Sequence, residues 1–118
     1  MMPSTKLAKK LNFKPGMKAL VIGRPADVDL DDLETGTTDT EGVLAFARTL
    51  KEVDAKCGAA LKAAKEDRLA WVAYPKNGQL ETDINRDVLW QHLNAKGVQG
   101  VRLISIDPVW SALRFRPR

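Results

Sequence analysis

Four cations stand where the strands of this chain should end: Arg24, Arg48, Lys76 and Arg86. A guanidinium or ammonium in such a place holds an oxyanion through charge-assisted hydrogen bonds. Arg24 follows the apolar run KALVIG (18–23), Arg48 follows GVLAFA (42–47), and Lys76 lies just beyond the run at 68–74. Arg86 opens the next helical stretch, whose free N–H groups add positive potential. In open parallel sheets ligands collect at the carboxyl ends of the strands. The four side chains are therefore expected to share one rim and one anionic ligand. The loop from Lys76 to Arg86 supports them through Pro75, Asn77, Gly78, Thr82 and Asp83. Pro75 stiffens its start and Asn77-Gly78 supplies the turn. A connection of this length is longer than most and often functional.

Groups able to move protons or attack a substrate are fewer. Asp83, Asp107 and Lys76 could gather as acid, base and cation of a small hydrolase or transferase. Against this, Asp83 and Asp87 sit where a helix start wants negative charge. Asp107 precedes Pro108 in a two-residue link and can hydrogen-bond the turn's own backbone. His92 stands beside Leu93 in a helical stretch and reads as a helix residue rather than a base. Ser111, between Trp110 and Ala112, has no glycine elbow around it. Cys57 falls in an apolar helical stripe and reads as a small buried hydrophobe. The segment 24–41 carries Asp27, Asp29, Asp31, Asp32, Glu34, Asp39 and Glu41, but not the spacing and glycine turn of a calcium loop. No Cys/His pair has metal-ligand spacing. The expectation is no catalytic residue, no metal and no cofactor.

The elements that must position these groups follow from periodicity. Ser4 can cap a short helix through Leu11, with Leu7 and Leu11 inward and Pro15-Gly16 as the stop. The runs 18–23 and 42–47 lack polar alternation, as strands buried on both faces do. Thr49 and Glu52 form a capping box. From there Leu50, Val53, Cys57, Leu61 and Ala64 share one helical face. Residues 68–74 make a third strand ended by Pro75. A helix over 86–96 points Val88, Leu89 and Leu93 inward, with Gly97 past its end. Residues 98–106 and 109–116 are two more strands. The link Asp107-Pro108 is too short for a parallel crossover, so they pair antiparallel. Trp71, Trp90 and Trp110 are expected to pack in the core, and Asp107 and Trp110 to serve the structure.

The chain has 118 residues, 44% hydrophobic and 29% charged, a composition suited to one α/β domain over 1–118. The formal charge is +4 and the pI about 9.4. Its basic residues are scattered and not interleaved with aromatics, which argues against nucleic acid. No apolar run nears the roughly 20 residues of a membrane span, and the first residues lack a signal-peptide block. One cysteine excludes an internal disulfide, which points to the cytoplasm. An unpaired edge strand would invite homodimerisation.

The order of elements, with its final antiparallel strand, resembles the S-adenosylmethionine-dependent methyltransferase fold. The passages LNFKPGMKALVIG and LKAAKEDRLAWVAYPK are similar to the approaches to that fold's first and central strands. The motifs YPK…TDINRDVLW and IDPVWSALRFRP more closely resemble the DUF3052 family of small bacterial proteins without an assigned activity. The resemblance covers nearly the whole chain. It implies a truncated, methyltransferase-like fold: a three-layer, Rossmann-like domain with a mostly parallel five-stranded sheet and a C-terminal antiparallel strand. Two departures disfavour methyl transfer. The loop after the first strand reads Gly23-Arg24-Pro25-Ala26 in place of a glycine-rich cradle. Only residues 24–41 stand where two further strands and an acidic ribose ligand belong. The expected function is a non-catalytic domain that binds an anionic small molecule or a partner protein at the strand C-termini. The Asp/Lys enzyme and a homodimeric interaction module are the alternatives.

Overall fold

The computed structural model describes residues 7–14, 16–26, 28–30, 33–37, 40–76 and 82–118. Ser4, Pro15, Asn77, Gly78 and the carboxylates of Asp27, Asp31, Asp32 and Asp39 lie outside them. In chain order the elements are α1 (Leu7–Lys10), β1 (Ala19–Ile22), β2 (Gly42–Phe46), α2 (Leu50–Lys56) and α3 (Gly58–Lys65). Then come β3 (Leu69–Pro75), α4 (Arg86–Asn94), β4 (Val98–Ser105) and β5 (Trp110–Pro117).

The strands lie in the order β1-β2-β3-β5-β4. The ladders β1–β2 and β2–β3 are parallel, and β3–β5 and β5–β4 are antiparallel. The sheet is therefore mixed, which corrects the expectation of a mostly parallel one. The cause is the link at Asp107-Pro108: it returns β5 directly beside β4, and β5 then places its other edge against β3. β5 thus becomes an inner strand bonded antiparallel on both sides.

The expected three-layer, Rossmann-like, methyltransferase-like architecture is corrected too. One face of the sheet is covered by α2, α3 and α4, through Val53, Ala60, Ala63, Ala64, Leu89 and Leu93. Among the described residues the other face has no matching helical layer. Leu7 and Leu11 of the short α1 stretch, Phe13, Val28 and Leu33 cover it, with Met17 and Leu30 at the margin. Side chains alternate between the two faces. Val43, Ala45, Ala70, Val72, Leu113 and Phe115 point to the helices. Leu44, Phe46, Leu69, Trp71, Ala73, Trp110 and Ala112 point to the irregular cover.

Three local readings also change. β2 and β3 are buried along their whole length, but β1 is an outer strand whose Leu20, Val21 and Ile22 are only partly covered. The single helix expected after Thr49 breaks at Cys57 (φ −96°, ψ 13°) into α2 and α3. Gly58 follows, a residue whose backbone entropy weakens a continuous helix. Trp90 stands 38% exposed, not in the core with Trp71 and Trp110.

Candidate functional site

Past Phe46 the chain leaves the sheet through Ala47, whose N–H donates to the Ala73 carbonyl at 2.9 Å. Arg48 and Thr49 then turn into α2. Thr49 is extended (φ −135°, ψ 162°) and its hydroxyl accepts from Glu52 N–H at 3.2 Å. Glu52 Oε1 accepts in return from Arg48 N–H, 3.2 Å away and one residue upstream of the cap. The segment before α4 closes over this turn. Thr82 donates its hydroxyl to the Arg48 carbonyl, and Asp83 Oδ1 accepts from Leu50 N–H at 2.8 Å. Ile84 N–H donates back to the Thr82 hydroxyl at 3.0 Å, which fixes its orientation. Arg48, Thr49, Glu52, Thr82 and Asp83 together line an open depression of about 540 Å³ at the carboxyl end of β2.

Arg24 approaches from the neighbouring strand end. Gly23 before it has φ 72°, and a Cβ there would lie 3.0 Å from the Phe46 carbonyl and 3.9 Å from Lys56 Nζ. Only glycine suits both the backbone angle and that space. Arg24 donates to the Val28 carbonyl from an exposed position. Lys56 Nζ sits 3.4 Å from Glu52 Oε1, one helical turn away. Lys56 therefore stands next to Glu52 of the lining, while the Arg24 guanidinium turns to Val28.

Lys76 and Arg86 are held by other partners. Lys76 Nζ donates to Ser105 Oγ at 2.6 Å, and the Ser105 hydroxyl lies 3.3 Å from the Asp107 carbonyl, to which it donates. Lys76 thereby ties the end of β3 to the β4–β5 turn. Arg86 leans along α4 to Asp87, at 3.2 Å. Of the supporting loop, Pro75 is buried at the end of β3 opposite Trp110. Asp107 Oδ1 accepts from Val109 N–H at 2.8 Å and Trp110 N–H at 2.7 Å. Trp110 packs edge-on against Phe46, with ring centroids 5.2 Å apart.

The candidate acid–base groups are dispersed over the fold. Asp83 and Asp107 are each engaged by backbone N–H groups in different parts of the fold, and Lys76 reaches only the second of them through Ser105. Cys57 is buried, and desolvation pushes its thiol up to about 12, too high to supply a thiolate near neutrality. His92 Nε2 lies 2.7 Å from Asp54 Oδ1 on the outer surface of the helices and holds that carboxyl below its ordinary range. Among the described residues no group of three or more His, Cys, Asp and Glu side chains is placed to hold a metal ion. Nor is any helix among them long and apolar enough to cross a membrane.

Lys56 and Ser105 stand outside the sequence-based expectation. The Glu52–Lys56 spacing was a usable signal for the first, since such pairs meet on a helix surface. No sequence signal joins Ser105 to Lys76, because that contact depends on β5 lying between β3 and β4. Comparison of the chain with protein-family models, with curated proteins and with solved structures finds no match.

Proposed function

We propose that this chain is a non-catalytic binding domain that takes an anionic small molecule at the carboxyl ends of β1 and β2. The observation that supports it is the depression in which Arg48 stands with Thr49 and Thr82, with Lys56 beside Glu52 of its lining. The carboxylates of Glu52 and Asp83 accept backbone N–H bonds there, so part of their charge is met from within. A guanidinium such as that of Arg48 is a group suited to an incoming oxyanion. A cytoplasmic location and kinship with the DUF3052 family, drawn from the two motifs, belong to this same proposal.

A thermal-shift screen against phosphates, nucleotides and carboxylates tests it. A ligand should raise Tm saturably, and Arg48→Ala should weaken it about tenfold or more, the ~1.4 kcal/mol or greater expected of a charged hydrogen bond. A panel without a saturating anion, or a hit indifferent to Arg48→Ala, rejects the reading.

A second reading is pairing of two copies along β4. Its support is the apolar exposure around that outer strand: Trp90 38%, Val101 46% and Leu103 46%. Sedimentation equilibrium should then give twice the 13.0 kDa chain mass, and Leu103→Glu should halve it. A wild type of monomer mass at all concentrations removes this reading.

A further inference from the structure

Arg102 and Arg114 are directly opposed across the β4–β5 ladder, beside the bulge at Gly100/Arg102. Leu113 and Phe115 face the helices and Ala112 the other cluster, so Arg114 faces the irregularly covered side, and its ladder partner Arg102 shares that face. Like charges directly opposite one another on an antiparallel pair are destabilising. Neither group can shed its proton to relieve this. Arg114 carries a further cost: its Nε is buried and has no hydrogen-bond partner among the described residues.

The expected neutraliser is committed elsewhere. Asp67, in the turn before β3, is the carboxylate near this row, and Arg116 takes both of its oxygens, at 2.9 and 3.2 Å. Burial, with Arg116 and Arg102 nearby, depresses the Arg114 pKa despite the pull of Asp67. Arg114 thus has two guanidinium neighbours, Arg102 and Arg116, and one carboxylate neighbour already engaged. Protection of a sheet edge explains a cation on β4, but Arg114 is on the inner strand β5 and guards no edge.

We propose that Arg102 and Arg114 form a second anion site, on the sheet face away from α2–α4, that takes the phosphate group of a small molecule. A tetrahedral dianion offers enough oxygens for two planar forks at once and matches the excess charge. It would also supply the acceptor that Arg114 Nε lacks. This site stands independently of the rim at Arg48.

Inorganic phosphate is the probe, titrated into the full chain by calorimetry at constant ionic strength, with chloride as the balancing salt. Trp71 is the ladder partner of Arg114 on β3, so tryptophan fluorescence gives a parallel reading. The wild type should saturate with a Kd of about 1 mM or tighter. Arg102→Gln, at an exposed position, should bind at least about tenfold more weakly while keeping the wild-type circular dichroism. Arg102→Lys, which keeps the charge and loses the fork, should fall between them. Lys62→Gln, on the outer face of α3, controls for net charge and should bind as the wild type does. A phosphate response no greater than that of chloride overturns the proposal. So does an Arg102→Gln variant that binds phosphate as tightly as the wild type.

Discussion

The two faces of the sheet are built from the same strands but covered by different means. Helices α2, α3 and α4 lay Val53, Ala60, Ala63, Ala64, Leu89 and Leu93 on one face. Their polar groups point outward, where Asp54 serves His92 and Lys96 at once. The other face is closed by the short α1 stretch and irregular chain. Such cover has many backbone groups to satisfy, and side chains answer several of them: Trp71 Nε1 donates to the Leu11 carbonyl at 3.0 Å, and Arg24 to that of Val28. On this same side stands the Arg102–Arg114 pair, whose carboxylate neighbour among the described residues, Asp67, is engaged by Arg116. Helical cover supplies its own backbone bonds and frees side chains to pair outside. Irregular cover draws side chains inward to satisfy its backbone.

The sharpest way to break this contrast is to truncate one core leucine on each face. Leu89 and Leu11 are both 0% exposed. If both faces belong to one cooperative core, Leu89→Ala and Leu11→Ala should each cost about 2–5 kcal/mol in urea unfolding, with unchanged m. A Leu11→Ala loss below about 1 kcal/mol would mean that the irregular cover opens before the sheet does.

Gly42 tests how tightly that cover sits. A Cβ there would meet Leu69 Cβ and its carbonyl oxygen at 2.6 Å and Phe13 Cζ at 2.8 Å. A backbone atom cannot swing aside, so Gly42→Ala should cost about 3 kcal/mol, the upper part of the overpacking range. A variant as stable as the wild type would show that Phe13 and the strand ends yield freely.

Much of the helix-covered half was legible in the sequence, and little of the other. The runs at 42–47 and 68–74 announce β2 and β3 because burial on both faces removes all polar alternation. Thr49 with Glu52 is a cap, and caps are local chemistry: the Thr49 hydroxyl accepts from Glu52 N–H at 3.2 Å. Asp107-Pro108 reveals a tight return for the same reason. It does not reveal that β5 also pairs with β3, which is a long-range choice. The mixed sheet, the Lys76–Ser105 contact and the Arg102–Arg114 opposition all follow from that choice and from the register set by the bulge. Arg24 and Arg48 follow adjacent parallel strands, as their places after two apolar runs suggest. Lys76 and Arg86 turn to Ser105 and Asp87.

Asp107 belongs to the turn that creates β5. Asp107→Ala removes the acceptor for two backbone N–H groups and should lower stability by about 0.5–2 kcal/mol, the range for lost caps. Unchanged stability with an altered anion response would move Asp107 from the turn to a ligand.

Cys57, between α2 and α3, probes the helical face without perturbing it. A thiol pushed up to about 12 ionises in the unfolded chain near its ordinary 9.0 while the folded chain still holds the proton. The unfolded state then binds fewer protons, so this group's contribution to stability falls as pH rises above about 9. Cys57→Ala should lose that extra decline. In the wild type, labelling by an aromatic disulfide at neutral pH should proceed only as fast as the helices open. Labelling at the rate of a free thiol would contradict the burial.

The smallest effect is expected at Asp54, and it addresses the contrast directly. Asp54 is the carboxylate that His92, at 2.7 Å, and Lys96, at 3.6 Å, share on the helical side. Among the described residues Arg102 and Arg114 share no such carboxylate. The His92 hydrogen bond, ahead of the charges of His92 and Lys96, lowers its pKa. A lowered carboxyl contributes stability above its unfolded value, near 3.8, and loses it as pH falls through the lower folded value. The advantage of wild type over Asp54→Asn should therefore be small at neutral pH, since the group is exposed and screened, and should vanish in acid. High salt should shrink it as well. A difference that persists unchanged below the folded value would show that Asp54 acts by packing α2 against α4 and not by charge, leaving the two faces less different in their electrostatics than their covers are.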